Sequence, residues 1–163
     1  MNGTLLLVED DENDVFFFKR AMKLAGIQNQ LQVAVDGREA IHYLEGSGVY
    51  SDRERFPSPE LVLLDLKLPF VMGMDVLKWI RQQPALRMMI VLIFTSSKMP
   101  EDIQKAYLLG ANSYLVKPSE PQELDAKVRL IKNYWMETNH WVPAPEWIDL
   151  PARSSKVLQT ALL

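Results

Sequence analysis

Leu61-Val62-Leu63-Leu64-Asp65-Leu66-Lys67-Leu68-Pro69 decides the fold. Four apolar residues run into one carboxylate, with Pro57 and Pro59 before the run and Pro69 after it. An apolar run of this length, bounded by prolines, predicts a strand buried on both faces, and such strands belong to parallel sheets covered by helices on either side. The carboxyl end of the strand opens onto the edge where doubly wound sheets bind their ligands. Asp65 is therefore either a loop-capping acid, a common use of Asp at a strand exit, or a reactive group.

The pattern recurs along the chain. Leu5-Leu6-Leu7-Val8 runs into Glu9-Asp10-Asp11-Glu12, Ile90-Val91-Leu92-Ile93-Phe94 into Thr95-Ser96-Ser97, and the short strand from Ser113 to Val116 into Lys117-Pro118. Leu31, Val33 and Val35 alternate with Gln32 and Ala34, a weaker pattern that suits an edge strand.

Helical signals fill the gaps. Asn13 or Asp14 can cap a helix with an apolar stripe of Val15, Phe18, Met22 and Ala25, stopped by Gly26. Asp36-Gly37-Arg38-Glu39 has the form of a capping box and opens a short helix through Leu44. A polar loop follows from Gly46 to Pro59. A third helix runs from Met74 to Gln83 with Leu77 and Ile80 inward and closes at Pro84, and a fourth from Pro100 to Leu109 has Gly110 just past its end. The longest runs from Pro121 to about Glu137, with Leu124, Val128, Ile131 and Trp135 on one face. Strand and helix alternate five times, which predicts a parallel sheet with right-handed crossovers.

Composition narrows the chemistry. The 163 residues suit one domain with a sizeable core, at 48% hydrophobic and 24% charged. A net charge of -3 gives no electrostatic basis for binding nucleic acid. The absence of cysteine excludes disulfides, thiolate metal sites and a Cys nucleophile. Two histidines, His42 on a helix surface and His140 in the tail, are too few for a His-based metal site. No apolar stretch is long enough to span a bilayer, and no basic segment precedes the first apolar run, so a cytoplasmic protein is expected. Met88, Met89, Trp79 and the run Phe16-Phe17-Phe18 read as packing residues, with one phenylalanine ring to spare.

All carboxyl ends of a parallel sheet lie on one edge. That places Glu9, Asp10, Asp65, Thr95 and Lys117 around one crevice. Three crowded carboxylates repel one another and call for a cation. Hard oxygen donors without His or Cys point to Mg²⁺, which keeps waters and accepts a phosphate oxygen. A facing lysine and hydroxyl suit the other oxygens of a phosphoryl group.

Val8-Glu9-Asp10-Asp11, Leu64-Asp65-Leu66-Lys67-Leu68-Pro69 with Gly73, Phe94-Thr95-Ser96 and Val116-Lys117-Pro118 together resemble the signature of a response-regulator receiver domain, from about Thr4 to Trp135. The resemblance implies a flavodoxin-like, doubly wound, five-stranded parallel sheet with helices on both faces. It further implies a phosphorelay in which Asp65 accepts a phosphoryl group from a sensor histidine kinase. No enzymatic activity beyond Mg²⁺-dependent self-phosphorylation and slow self-dephosphorylation is implied. Asp10 would bind the metal directly, Glu9 through water, and Asp65 and the main-chain carbonyl of Lys67 would complete the protein ligands. Thr95 and Lys117 would contact the phosphoryl group, Thr95 and Tyr114 would switch, and Lys117-Pro118 would be cis. Glu at the first acid position and Met72 before Gly73 depart from the family's commoner residues and leave the chemistry intact.

The loop before the third strand and the ending Leu130-Ile131-Lys132-Asn133-Tyr134-Trp135 resemble the small, output-free regulators that partner phytochrome-type kinases, so signalling is expected to run through protein contacts. A phosphatase of the haloacid-dehalogenase type would show Asp-x-Asp after its first strand, where this chain has Glu9-Asp10-Asp11-Glu12. A degenerate receiver would lack an acid, the Thr or the Lys. Residues 1–137 are thus expected to form the receiver and 138–163 a C-terminal extension. There Trp141, Val142, Trp147, Ile148 and Leu150 lie among Pro143, Pro145 and Pro151. Apolar anchors on a stiff path predict either packing on the same domain or an arm exchanged with a second copy near Tyr134 and Trp135, making a homodimer.

Overall fold

The computed structural model describes residues 3–140. The arm bearing Trp141 and Trp147, and the homodimer expected from it, lie outside the described residues. Five strands and five helices alternate: β1 (Thr4–Val8), α1 (Glu12–Leu24), β2 (Leu31–Ala34), α2 (Gly37–Glu45), β3 (Pro59–Leu64), α3 (Gly73–Gln82), β4 (Ile90–Thr95), α4 (Pro100–Leu108), β5 (Ser113–Val116) and α5 (Pro121–Ile131). The sheet order is β2-β1-β3-β4-β5, every pair parallel. This is the flavodoxin-like arrangement, with β2 at an edge as its weak pattern predicts.

The central strands are apolar throughout because each face of the sheet is covered. Leu6, Val8, Val62, Leu64, Val91 and Ile93 pack with Tyr43, Leu44, Val76, Leu77 and Ile80 of α2 and α3. The alternate residues Leu5, Leu7, Leu61, Leu63, Leu92 and Phe94 pack with Phe18, Met22, Val128 and Ile131 of α1 and α5. Period-two alternation thus persists, with both sets of side chains buried.

Local differences from the sequence reading have identifiable causes. Asp11, rather than Asn13 or Asp14, caps α1: its Oδ1 accepts from the N–H of Asn13 at 2.7 Å and of Asp14 at 3.3 Å. The helix therefore starts earlier, and Asp14 falls in its first turn. Only Phe18 of the three phenylalanines is core; Phe16 is 63% and Phe17 37% exposed, because adjacent helical positions point about 100° apart. Ala34 fills the buried end of β2, whereas Val35 is exposed and already belongs to the turn, its N–H donating to Glu39 Oε2 at 2.7 Å. Met89 is buried and Met88 exposed.

The loop after α2 is packed rather than merely polar. It holds a 3₁₀ turn at Gly48–Ser51, and Tyr50 and Phe56 stack around Tyr43 at centroid distances of 5.2 and 6.2 Å. Arg53 donates to the carbonyls of Tyr43, Leu44 and Phe56 and so caps the C-terminus of α2. Beyond Ile131 the last helix continues as a π-helical segment, Lys132–Thr138, which brings Met136 into the core.

Candidate functional site

The β3–α3 loop sets the site's geometry. Asp65 is 5% exposed at the end of β3, and its Oδ1 accepts the backbone N–H of Leu66 at 2.6 Å and of Lys67 at 3.2 Å. The other oxygen, Oδ2, accepts from Lys117 Nζ at 2.6 Å. The loop then doubles back. Val71 N–H donates to Pro69 carbonyl at 2.7 Å around Phe70, whose φ is 63°, a strained γ-turn for a residue with a side chain. Arg38 lies over the exposed Phe70 ring at 3.9 Å. Gly73 is required next: a Cβ there would stand 1.9 Å from the carbonyl oxygen of Asp65.

Glu9 and Asp10 end β1 beside Asp65. One carboxylate oxygen from each of the three lies within 4.8 Å of the others, a hard-oxygen set able to hold a divalent cation. Glu9 is buried, and desolvation pushes its carboxyl up to about 7 despite the attraction of Lys117. Asp10 is exposed. Lys67 is exposed as well, and its backbone N–H is tied to Asp65.

Lys117 closes the site from β5. Its ammonium donates to Glu9, to Asp65 and, at 2.8 Å, to Asp14 Oδ2. Burial alone would lower the Lys117 pKa, but the three carboxylate hydrogen bonds outweigh it and raise it. No peptide bond among the described residues is cis, so Lys117-Pro118 is trans, contrary to the expectation above. The lysine reaches the site regardless, because its N–H is held by the Thr95 carbonyl at 2.8 Å and its four-carbon stem spans the remaining gap.

Thr95 is fully buried, and its Oγ1 faces the N–H of Ser97 at 3.5 Å. Tyr114 is half-buried, its hydroxyl donating to the Ser97 carbonyl at 3.2 Å. Ser97 Oγ in turn donates to Asp102 Oδ2 of α4 at 2.5 Å. The structure therefore brings together Glu9, Asp10, Asp65 and Lys117, and sets Thr95 at the end of β4, beside the β4–α4 corner that Tyr114 of β5 reaches through its hydroxyl. Sequence reasoning missed Asp14 and the Ser97–Asp102 link. Asp14's signal was its place three residues past Asp11, in the first turn of a helix rising from the acidic strand end. Phe16, with Val15, Val33 and Val35, lines an open groove of about 310 Å³ beside Glu9 and Asp10.

Comparison with known proteins agrees with this geometry. Residues 5–129 match the response regulator receiver domain model. The chain belongs to that family. Response regulator Rcp1 of Synechocystis sp. is 36% identical over 134 residues, covering 82% of this chain and 89% of the relative. The probable methanogenesis regulatory protein FilR2 of Methanothrix harundinacea is also 36% identical, covering 83% and 84%. The phosphorylated cyanobacterial phytochrome response regulator RcpA superposes with a TM-score of 0.82 at 29% identity, over 88% of this chain and all of that one. The protein is a response-regulator receiver of two-component signalling, whose partner is a histidine kinase. Among the described residues no helix is long and apolar enough to cross a membrane.

Proposed function

We propose that the receiver accepts a phosphoryl group on Asp65 from a sensor histidine kinase of the phytochrome type. The observation that carries this reading is the division of labour between the two Asp65 oxygens. Oδ1 is held by two backbone N–H groups, which leaves Oδ2, facing Lys117, as the nucleophile.

A lone pair on Oδ2 attacks the phosphorus of a phosphohistidine in line. The P–N bond breaks, its electron pair leaves with the imidazole, and an acyl phosphate remains on Asp65. Lys117 then donates to a phosphoryl oxygen. Thr95 meets another, and Tyr114 turns inward as Thr95 moves, so the readout surface is α4, β5 and α5.

Mg²⁺ suits the hard-oxygen set of Glu9, Asp10 and Asp65, joined by the main-chain carbonyl of Lys67. When bound, it would neutralise charge on the transferring phosphoryl oxygens. Glu9 would act through water and Asp10 directly. Self-phosphorylation by small acyl phosphates and slow self-dephosphorylation are part of the same reading.

The phytochrome partner is supported by the names of relatives such as RcpA. The groove at Phe16 gives a kinase helix an apolar approach beside the acids. A cytoplasmic location, no role in nucleic-acid binding and self-association through the segment after residue 137 complete the proposal. Its test is radiolabel transfer from a candidate kinase and from acetyl phosphate. Asp65→Asn keeps the shape without the nucleophile and is expected to take no label; uptake at the parent rate would refute the assignment.

A further inference from the structure

We propose that Asp14 is a positioning residue for phosphoryl transfer, acting through Lys117. An ammonium has three N–H donors, and Lys117 directs them at Glu9, Asp65 Oδ2 and Asp14 Oδ2. Glu9 and Asp65 belong to the buried acid pocket, with side chains 3% and 7% exposed. Asp14 comes from elsewhere. It sits in the first turn of α1, its side chain is 45% exposed, and it is not among the carboxylates grouped closely enough to share a cation. Nor is it the helix cap, a task that Asp11 performs.

The consequence follows from counting donors. When Oδ2 of Asp65 becomes the bridging oxygen of the acyl phosphate it loses its negative charge and its hold on the ammonium. The N–H that pointed at Oδ2 is then the one free to meet a phosphoryl oxygen. Its direction is fixed by the other two, with Glu9 holding Nζ from the sheet and Asp14 from the helix. With Glu9 alone, Nζ can pivot about one contact, and a long lysine stem does little to stop it. Exposure adds a second point. Asp14 remains hydrated on its outer side, so it can hold Lys117 without the desolvation that a third buried carboxylate would suffer.

This inference rests on Asp65 as phosphoacceptor, so its test includes a readout that needs no phosphoryl transfer. In the full chain labelled with ¹⁵N-lysine and free of divalent cation, the Lys117 ammonium resonance, identified by its loss in Lys117→Arg, is expected to shift or broaden in Asp14→Asn. The other lysine signals should stay in place. With acetyl phosphate and Mg²⁺, the saturated phosphorylation rate of Asp14→Asn is expected to fall roughly five-fold, within the range for contacting residues. The acetyl phosphate concentration giving half that rate should not change. Asp14→Ala, checked for folding by circular dichroism, should behave in the same way. An unmoved Lys117 resonance, a parental rate, or a change confined to the half-saturating concentration would overturn the proposal. Label uptake by Asp65→Asn would instead remove the reading beneath it.

Discussion

Lys117 Nζ and Asp65 Oδ2 lie 2.6 Å apart, joining the ends of β3 and β5 across β4. The side chains are 11% and 7% exposed, so the pair is screened little by solvent. Removing one partner of a buried pair costs more than the pair contributes, because the other charge is left uncompensated. Lys117→Met is therefore expected to destabilise the cation-free protein by about 3–5 kcal/mol. A divalent cation should restore part of the loss. Urea denaturation with and without MgCl₂ measures both effects, and an unchanged midpoint would argue against the pairing.

Glu9 should leave a mark on the pH dependence of stability. Its folded pKa is about 7 against an ordinary 4.5, raised chiefly by burial. Between those values the folded state keeps a proton that the unfolded chain has lost, so this group's contribution to stability falls as pH rises through the window. Glu9→Gln removes the dependence. Its thermal midpoint relative to the parent should rise from about pH 5 to about pH 7.5 in the absence of divalent cation. A flat difference between the two melting curves would count against a buried, protonated Glu9.

Gly73→Ala tests the close approach beneath the site. The new Cβ would meet the Asp65 carbonyl oxygen at 1.9 Å and the Leu66 Cα at 2.8 Å, both backbone atoms with little freedom to yield. A loss of about 1–3 kcal/mol is expected from overpacking, with slower phosphorylation as Asp65 is displaced. A variant with parental stability and parental rate would mean that the loop accommodates the methyl group.

Arg53 should hold the loop before β3. Its guanidinium serves the carbonyls of Tyr43, Leu44 and Phe56 together. Arg53→Ala is expected to cost about 1–3 kcal/mol, since three part-buried acceptors lose a charged donor. Hydrogen exchange should then quicken across residues 46–58 while the β1 and β3 amides remain protected.

The fold was legible because its central strands are apolar on both faces and end in polar residues. Leu61 to Leu64, bounded by prolines, read as an interior strand, and Asp65 after it as a residue at the sheet edge. Asp10, Thr95 and Lys117 were legible for the same topological reason. Side-chain partnerships beyond that edge were not. Sequence gives no distance between Asp14 and Lys117, which are 103 positions apart, nor does it reveal that Arg53 folds a polar loop onto Tyr43. The weak alternation of β2 marked it as an edge strand, but not that the strand would end at a buried Ala34 with Val35 left exposed in the turn. The trans bond at Pro118 lay beyond reading, since the stem of Lys117 can reach the acids without the cis turn.

The turn at Phe70 makes the crevice lopsided. On that side the backbone is close-packed from below, where a Cβ at Gly73 would collide with the Asp65 carbonyl oxygen, and from beside, where a Cβ at Gly37 would stand 2.0 Å from the Val71 carbonyl oxygen. Across from it, the β4–α4 corner depends on hydroxyl contacts from Ser97 and Tyr114, which can be exchanged without moving a strand. Under the proposed phosphorylation of Asp65, a displacement is expected to pass toward α4 and β5, where hydroxyl contacts rather than closely packed backbone hold the chain.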